Sequence, residues 1–278
     1  MPDTKVEASA FITIGGGCAA NAAVAIARLG GKVELWSRVG DDVAGQAIRT
    51  GLRHEKVDVR HVEAFEDARS STSAIIVDAH GERLIVGQRD TSIPSGTSWL
   101  PLERLKEAHV VLGDVRWLEG LRVGFARARQ EGIPTVLDAE LGARETLPDL
   151  LRLTDYAIFS AAALRDFAAG ASDEARLDHA MSFGPLHAGV TLGAEGYLWR
   201  ERGGGGRIPS PAVDVVDTTG AGDAFHGAFA LALAQGRPIG ECARRAAAVA
   251  AMKCRRLGGR AGLPTEAELE AFLAKQTA

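Results

Sequence analysis

"VVDTTGAGDAFHGAFALAL", residues 215–233, runs from an apolar stretch through a glycine turn straight into a helical pattern. Asp217 and Asp223 bracket the turn in a segment that is otherwise apolar or small. The pattern predicts a strand over "AVDVV" (212–216), a turn at Gly220–Gly222 and a helix from Ala221 onward. Strand, turn and helix in immediate succession are the repeating step of an α/β chain.

Working outward, the same step recurs. "VELWSRVG" (33–40) reads as a strand and "GQAIRTGLRHE" (45–55) as an amphipathic helix. "HVVLGDV" (109–115), "IPTVLDAE" (133–140), "YAIFS" (156–160) and "HAGVTLG" (187–193) are short apolar runs closed by Gly, Asp or Ser, each followed by a helical stretch. Continuous apolar strands alternating with helices imply a mostly parallel sheet covered on both faces. One segment departs from this. "SSTSAIIVDAHGERLIVGQRD" (70–90) reads as two strands joined by "DAHGE", a hairpin with no helix between them. With "KVEASAFITI" (5–14) it is expected to form a small separate sheet, a lid or a dimer patch, or else an antiparallel edge on the main sheet. "GGGG" (203–206) reads as a flexible hairpin tip.

The composition narrows the class. With aromatics at only 5%, the core must be built from Ala, Val, Leu and Ile. A net charge of −4 argues against a nucleic-acid partner, which usually needs a basic face. Cys18, Cys242 and Cys254 show no metal-ligand spacing and suit a reducing compartment. No apolar run reaches the roughly 18 residues of a membrane span, and the N-terminus lacks a signal-peptide pattern, so the expected location is cytoplasmic.

The turn carries chemistry of its own. Backbone N–H groups of Ala221, Gly222 and Asp223 in the first helical turn would form a site for negative charge, and Gly220 and Gly222 leave room for a bulky anion. In that positive potential Asp223 is expected to ionise readily and to accept a proton from a hydroxyl. An anion nest beside a base is what phosphorylation of a hydroxyl requires. The plainer alternative is an ordinary helix start with Thr219 as cap and Asp223 opposite the dipole. No Gly-Lys-Ser/Thr follows, so this is not a Walker loop. A second glycine cluster, "ITIGGGCAANAAVAIARLGG" (12–31), again reads as strand, glycines and helix. Asn21 falls where a dinucleotide fingerprint wants its third glycine, and there it presents an amide to a polyol or is simply a polar residue near a helix start.

"GGCAANAAVAIARLG", "SRVGDDVAG", "VTLGAEG" and "DTTGAGDAFHGAF", in this order, resemble the ribokinase-like (PfkB) carbohydrate kinases over nearly the whole chain. The resemblance implies a Rossmann-like, doubly wound α/β domain (15–69 and 95–278) with a small β lid (1–14 and 70–94). It implies ATP with Mg²⁺, transfer of the γ-phosphoryl group to a sugar hydroxyl, and a homodimer formed through the lid. By position, Asp223 is then the catalytic base and Gly220, Ala221 and Gly222 the anion hole. Gly16, Gly17 and Asn21 contact the sugar, and Thr191, Gly193, Gly196 and Gly258 line the nucleotide. Asp217 matches a carboxylate that supports a monovalent cation in some members, which raises potassium activation.

"SSTSAIIVDAHGERLIV", "VVLGDVRW" and "GGRAGLPT" most resemble bacterial sulfofructose kinases. On that likeness Arg116 and Lys5 face a sulfonate, making 6-deoxy-6-sulfofructose a candidate beside neutral ketohexoses. A structural ion pair is the alternative for Arg116. A nucleoside kinase, or a sugar-binding protein that has lost catalysis, are the competing functions. Three departures stand out. Gly87 replaces an asparagine beside the sulfonate, and the frequent Asn-x-x-Glu that organises Mg²⁺ would fall at Ser160–Ala163, where it is absent. A first strand with a sugar-binding aspartate is expected upstream of Gly16 and is not found, so the natural protein is expected to extend further upstream.

Overall fold

The computed structural model of the protein describes residues 7–9, 11–77, 83–88 and 91–276. In chain order, α1 (Cys18–Arg28), β1 (Glu34–Gly40), α2 (Val43–His54) and β2 (Asp58–Phe65) come first, then the hairpin β3 (Thr72–Val77) and β4 (Arg83–Gln88). The chain continues through β5 (Val111–Asp114), α3 (Leu118–Gln130), β6 (Thr135–Ala139), α4 (Leu147–Leu151), β7 (Tyr156–Ser160), α5 (Ala161–Phe167), α6 (Asp173–Met181) and β8 (His187–Thr191). It closes with β9 (Tyr197–Glu201), β10 (Gly204–Ile208), α7 (Ala221–Ala234), α8 (Ile239–Lys253) and α9 (Glu266–Gln276).

β10-β9-β8-β7-β6-β5 form one sheet, parallel from β5 to β8 and antiparallel from β8 to β10. β6 is buried at all five positions, as a strand covered on both faces must be. Its side chains alternate between two cores. Val136, with Ile158 of β7, packs against α1, α7 and α8, whereas Leu137 and Ala139 pack with Phe159 against α3–α6. That is the doubly wound arrangement the apolar runs imply. α7 is buried continuously from Ala224 to Ala230, and a Cβ on Gly227 would strike the Ala22 carbonyl of α1, so small residues are needed where the two helices touch. The few aromatics gather around β9, where Tyr197 contacts Phe225, Phe229 and Trp199. β1 and β2 pair in parallel as a separate ribbon, and β3 and β4 pair antiparallel as another. No helix among the described residues is long and apolar enough to cross a membrane.

Several expectations fail for identifiable reasons. Residues 212–216 are not a strand: Val215 and Val216 are exposed, and no strand among the described residues pairs with them. The amides of Val216 and Asp217 instead both donate to one carbonyl, that of Cys254, at 2.8 and 3.1 Å. Residues 7–9 and 11–14 carry no strand either, so the hairpin is a two-stranded sheet among the described residues, and Phe11 is 89% exposed. Of the four glycines only Gly203, φ 93°, lies in the tip of the β9–β10 hairpin. Gly204–Gly206 begin β10, where a Cβ on Gly205 or Gly206 would strike the Trp199 backbone or ring. β2 interleaves Arg60, His61 and Glu63 with its apolar residues, which hides it from an apolar-run reading.

Candidate active site

The parallel strands β5, β6, β7 and β8 all end on one side, at Asp114, Ala139, Ser160 and Thr191, and the crevice beyond such ends is where open α/β sheets bind ligands. α7 starts at this crevice. Its N-cap is Gly220 in the left-handed conformation, φ 76°, and a Cβ there would lie 3.0 Å from the Gly259 carbonyl oxygen. Thr219 does not cap the helix. Its N–H and hydroxyl both donate to Asp217 Oδ1, at 2.9 and 2.7 Å. The Ala221 N–H donates to Thr218, so Gly222 and Asp223, not all three residues, supply the N–H groups at the helix mouth. A Cβ on Gly222 would meet nothing within 4 Å and its φ is not positive, so this glycine keeps space open while Gly220 makes the turn.

Asp223 stands in the first turn with one carboxylate oxygen accepting from Asn21 Nδ2 at 2.7 Å. Contrary to the expectation of ready ionisation, burial pushes its carboxyl up, helped by Asp114 and opposed by Asn21, His226 and Cys18. Asp138, in β6, is buried beneath and is pushed up to about 7 by desolvation, against the pull of His226. His226 Nδ1 lies 2.7 Å from the Gly222 carbonyl oxygen and Nε2 lies 3.6 Å from Asp138. Ligand atoms of Cys18, Asp138 and Asp223 lie within 4.8 Å of one another, a grouping that linear cysteine spacing does not reveal.

Two further strands of hydrogen bonds hold the turn from outside. Arg260 Nε donates to Asn21 Oδ1 at 2.8 Å and its NH2 donates to the Gly16 carbonyl at 3.0 Å. One guanidinium thereby ties the first glycine cluster to the amide on Asp223. Arg28, paired with Glu55, donates to the carbonyls of Arg260 and Leu263 and anchors that loop. On the other side Asp217 Oδ2 accepts from the Gly258 amide at 2.8 Å. Burial works against ionised Asp217, but the donors from Thr219 and Gly258 outweigh it and hold the carboxyl below its usual range.

The pfkB family carbohydrate kinase model matches residues 1–266. The chain is 31% identical to the ribokinase of Bacillus subtilis over 275 residues, covering 96% of this chain and 90% of that protein. It is 30% identical to fructokinase-1 of Oryza sativa over 289 residues, covering 95% and 89%. The crystal structure of a candidate ribokinase from Agrobacterium tumefaciens superposes with a TM-score of 0.93 at 33% identity, over all of this chain and 93% of that one. The chain belongs to the PfkB family of carbohydrate kinases. It is a sugar kinase, a phosphotransferase with the ribokinase-like α/β fold.

In this PfkB kinase the residues singled out by sequence divide into groups. Asp223, Gly220–Gly222, Asn21 and, through Arg260, Gly16 come together at the mouth of α7. Gly17 caps α1 with φ 91°, and Asp114 Oδ2 accepts from the Ala19 amide while its Oδ1 accepts from that of Arg116. Arg116 is exposed at the end of β5, makes no ion pair within 4 Å among the described residues, and is electrostatically linked to Cys18. Thr191 and Gly193 lie at the end of β8, on the rim. A Cβ on Gly196 would strike the backbone of Ile208 and Pro209, and its φ of 94° also calls for glycine. Gly258 sits against Asp217. Lys5 lies outside the described residues. Asp114, Asp138, Glu140, His226, Arg260 and Lys253 went unrecognised in the sequence. The one available signal was a carboxylate closing an apolar run, in "VLGD" and "VLDAE".

Proposed function

We propose that this PfkB kinase transfers the γ-phosphoryl group of ATP to a hydroxyl of a ketose-type sugar, with Asp223 as the base. The observation that carries the reading is a half-buried carboxylate, held by Asn21, in the same helical turn as the outward N–H groups of Gly222 and Asp223. The sugar O–H donates to Asp223. As its oxygen attacks the γ-phosphorus, the proton passes to the carboxylate and ADP leaves. The Gly222 and Asp223 amides, at the positive end of α7, stabilise charge on the transferring group. A base whose pKa is raised towards the working pH is better matched to this task than an ordinary aspartate.

Mg²⁺, when bound with ATP, neutralises charge on the phosphate oxygens. Ser160 replaces the first residue of the usual Asn-x-x-Glu, and its hydroxyl donates to Glu140 Oε1 at 2.9 Å. Glu140 thus brings a carboxylate from just past the neighbouring strand to the place the motif leaves without one, where it would help hold the ion. In this reading Gly16, Gly17 and Asn21 contact the sugar, while Thr191, Gly193 and Gly258 border the nucleotide.

Arg116, an exposed guanidinium held in no ion pair within 4 Å among the described residues, favours an anionic far end on the sugar, as in 6-deoxy-6-sulfofructose. The names of the relatives put ribose and fructose beside it as neutral competitors. The 1–14 and 70–94 segments are assigned as a lid that joins two copies of the chain. The test is ADP release from Mg-ATP with ribose, fructose, 6-deoxy-6-sulfofructose and a nucleoside. Release with a sugar well above the sugar-free background is expected, and none with any of the four would defeat the reading. Loss of Arg116 to alanine should raise KM about 10- to 150-fold for the anionic sugar alone, the worth of one charge-assisted hydrogen bond.

A further inference from the structure

Lys253, the last residue of α8, is 0% exposed. Its Nζ donates to the Asp217 backbone carbonyl at 2.6 Å, and its charge helps keep the Asp217 carboxyl ionised. The next residue, Cys254, accepts through its carbonyl from the amides of both Val216 and Asp217. The end of α8 is therefore clamped to the start of the catalytic turn, with a buried ammonium at the clamp. Placing a cation out of water is costly, and a lysine is retained in such a place when the charge has work to do.

The resemblance to cation-activated family members raises a monovalent cation beside Asp217, and the residues present do not fit it. Such an ion would need the turn's oxygens as ligands, yet the Asp217 carbonyl already accepts from an ammonium of the same charge. A second unit charge beside it would be repelled by the buried ammonium. We propose that the Lys253 ammonium takes the place of the monovalent cation, supplying from within the chain the positive charge behind the anion-binding turn, so that this kinase works without potassium.

Two salts decide it, potassium chloride and tetramethylammonium chloride at a matched ionic strength of about 0.1 M. The wild-type protein should show the same melting temperature in both, and kcat with an accepted sugar should differ by less than about twofold. Lys253→Met, which fills the space without the charge, should lose about 10- to 100-fold in kcat in either salt. Lys253→Ala opens room for an ion and should regain activity in potassium or ammonium but not in tetramethylammonium. Activation of the wild type by potassium beyond about fivefold, a folded Lys253→Met with wild-type kcat, or a folded Lys253→Ala indifferent to every cation would each overturn the proposal. Should Lys253→Ala not fold, the wild-type and Lys253→Met arms suffice. The activity arms rest on the kinase reading, and the melting arm does not. A failure of that reading shows as no turnover in any salt, and is thereby distinguished.

Discussion

At the scale of single residues, Asp223 and the two glycines beside it carry separable consequences. Asp223→Asn keeps the shape and the contact with Asn21 but cannot take the hydroxyl proton. It should lower kcat by ~10²–10⁴-fold with ATP affinity within a few-fold, and wild-type turnover in a pure sample would remove Asp223 as base. Because burial raises this carboxyl, with Asp114 adding to the shift and Asn21, His226 and Cys18 opposing it, the ionised form is scarce at acid pH. kcat/KM should therefore climb with pH through a midpoint above the ordinary carboxylate range and then level off. A profile already flat from pH 5, about one unit above an ordinary aspartate, would contradict this. Gly220 and Gly222 should fail differently. Valine at 222 enters open space and blocks the anion without strain, so kcat falls and the melting temperature holds. Valine at 220 must adopt φ 76° against the Gly259 carbonyl, at a cost of at least ~1–2 kcal/mol, so both fall. Equal melting temperatures for the two variants would show that the turn is not strained at Gly220.

Among the elements, the hairpin β3–β4 is the one whose surroundings do not account for its sequence. Ile75 and Ile76 point to opposite faces, and Ile76 faces Leu84 across the ladder, these last two each more than half exposed. A two-stranded ribbon with apolar residues on both faces is marginal alone. If it is the lid that joins two copies, Ile76→Lys combined with Leu84→Lys should turn a dimer into a monomer by sedimentation, with little change in melting temperature. A wild-type protein that sediments as a monomer would refute the assignment. The strands that read correctly, such as "YAIFS" and "HAGVTLG", lie inside the sheet, where burial on both faces leaves an uninterrupted apolar run. "AVDVV" has the same composition and is not a strand, because no strand among the described residues pairs with it. Composition reports that a segment can pair; it does not report whether a partner stands beside it.

For the molecule as a whole, the two cores on either side of the sheet enclose a carboxyl that stability has to tolerate. Asp138 is raised from 3.8 to about 7 by burial. In the unfolded chain it ionises near its ordinary value, so the folded state holds a proton that the unfolded state has lost. The stabilisation is whole below about pH 4 and is lost as pH rises to about 7. Asp138→Asn removes this dependence. Relative to the wild type it should gain stability between pH 5 and pH 8, by on the order of 3 kcal/mol. Melting curves at the two values check this, and an unchanged difference would mean that Asp138 is not held neutral by burial.

The alternation of apolar runs with helices determined the doubly wound sheet without help, since period and run length are local consequences of burial on both faces. The glycine turn ending in Asp223 likewise placed a carboxylate in the first turn of a helix, because helix starts and turns are written in adjacent residues. What local pattern could not contain was the company Asp223 keeps. Asn21 stands 202 residues away in sequence and 2.7 Å away in space, Arg260 reaches Asn21 across 239 residues, and Lys253 reaches Asp217 across 36. Even the sign of the shift on Asp223 was decided there. The dipole of one helix is legible in its own residues, but the exclusion of water by α1, β6 and the crevice wall exists only once the chain has closed around them.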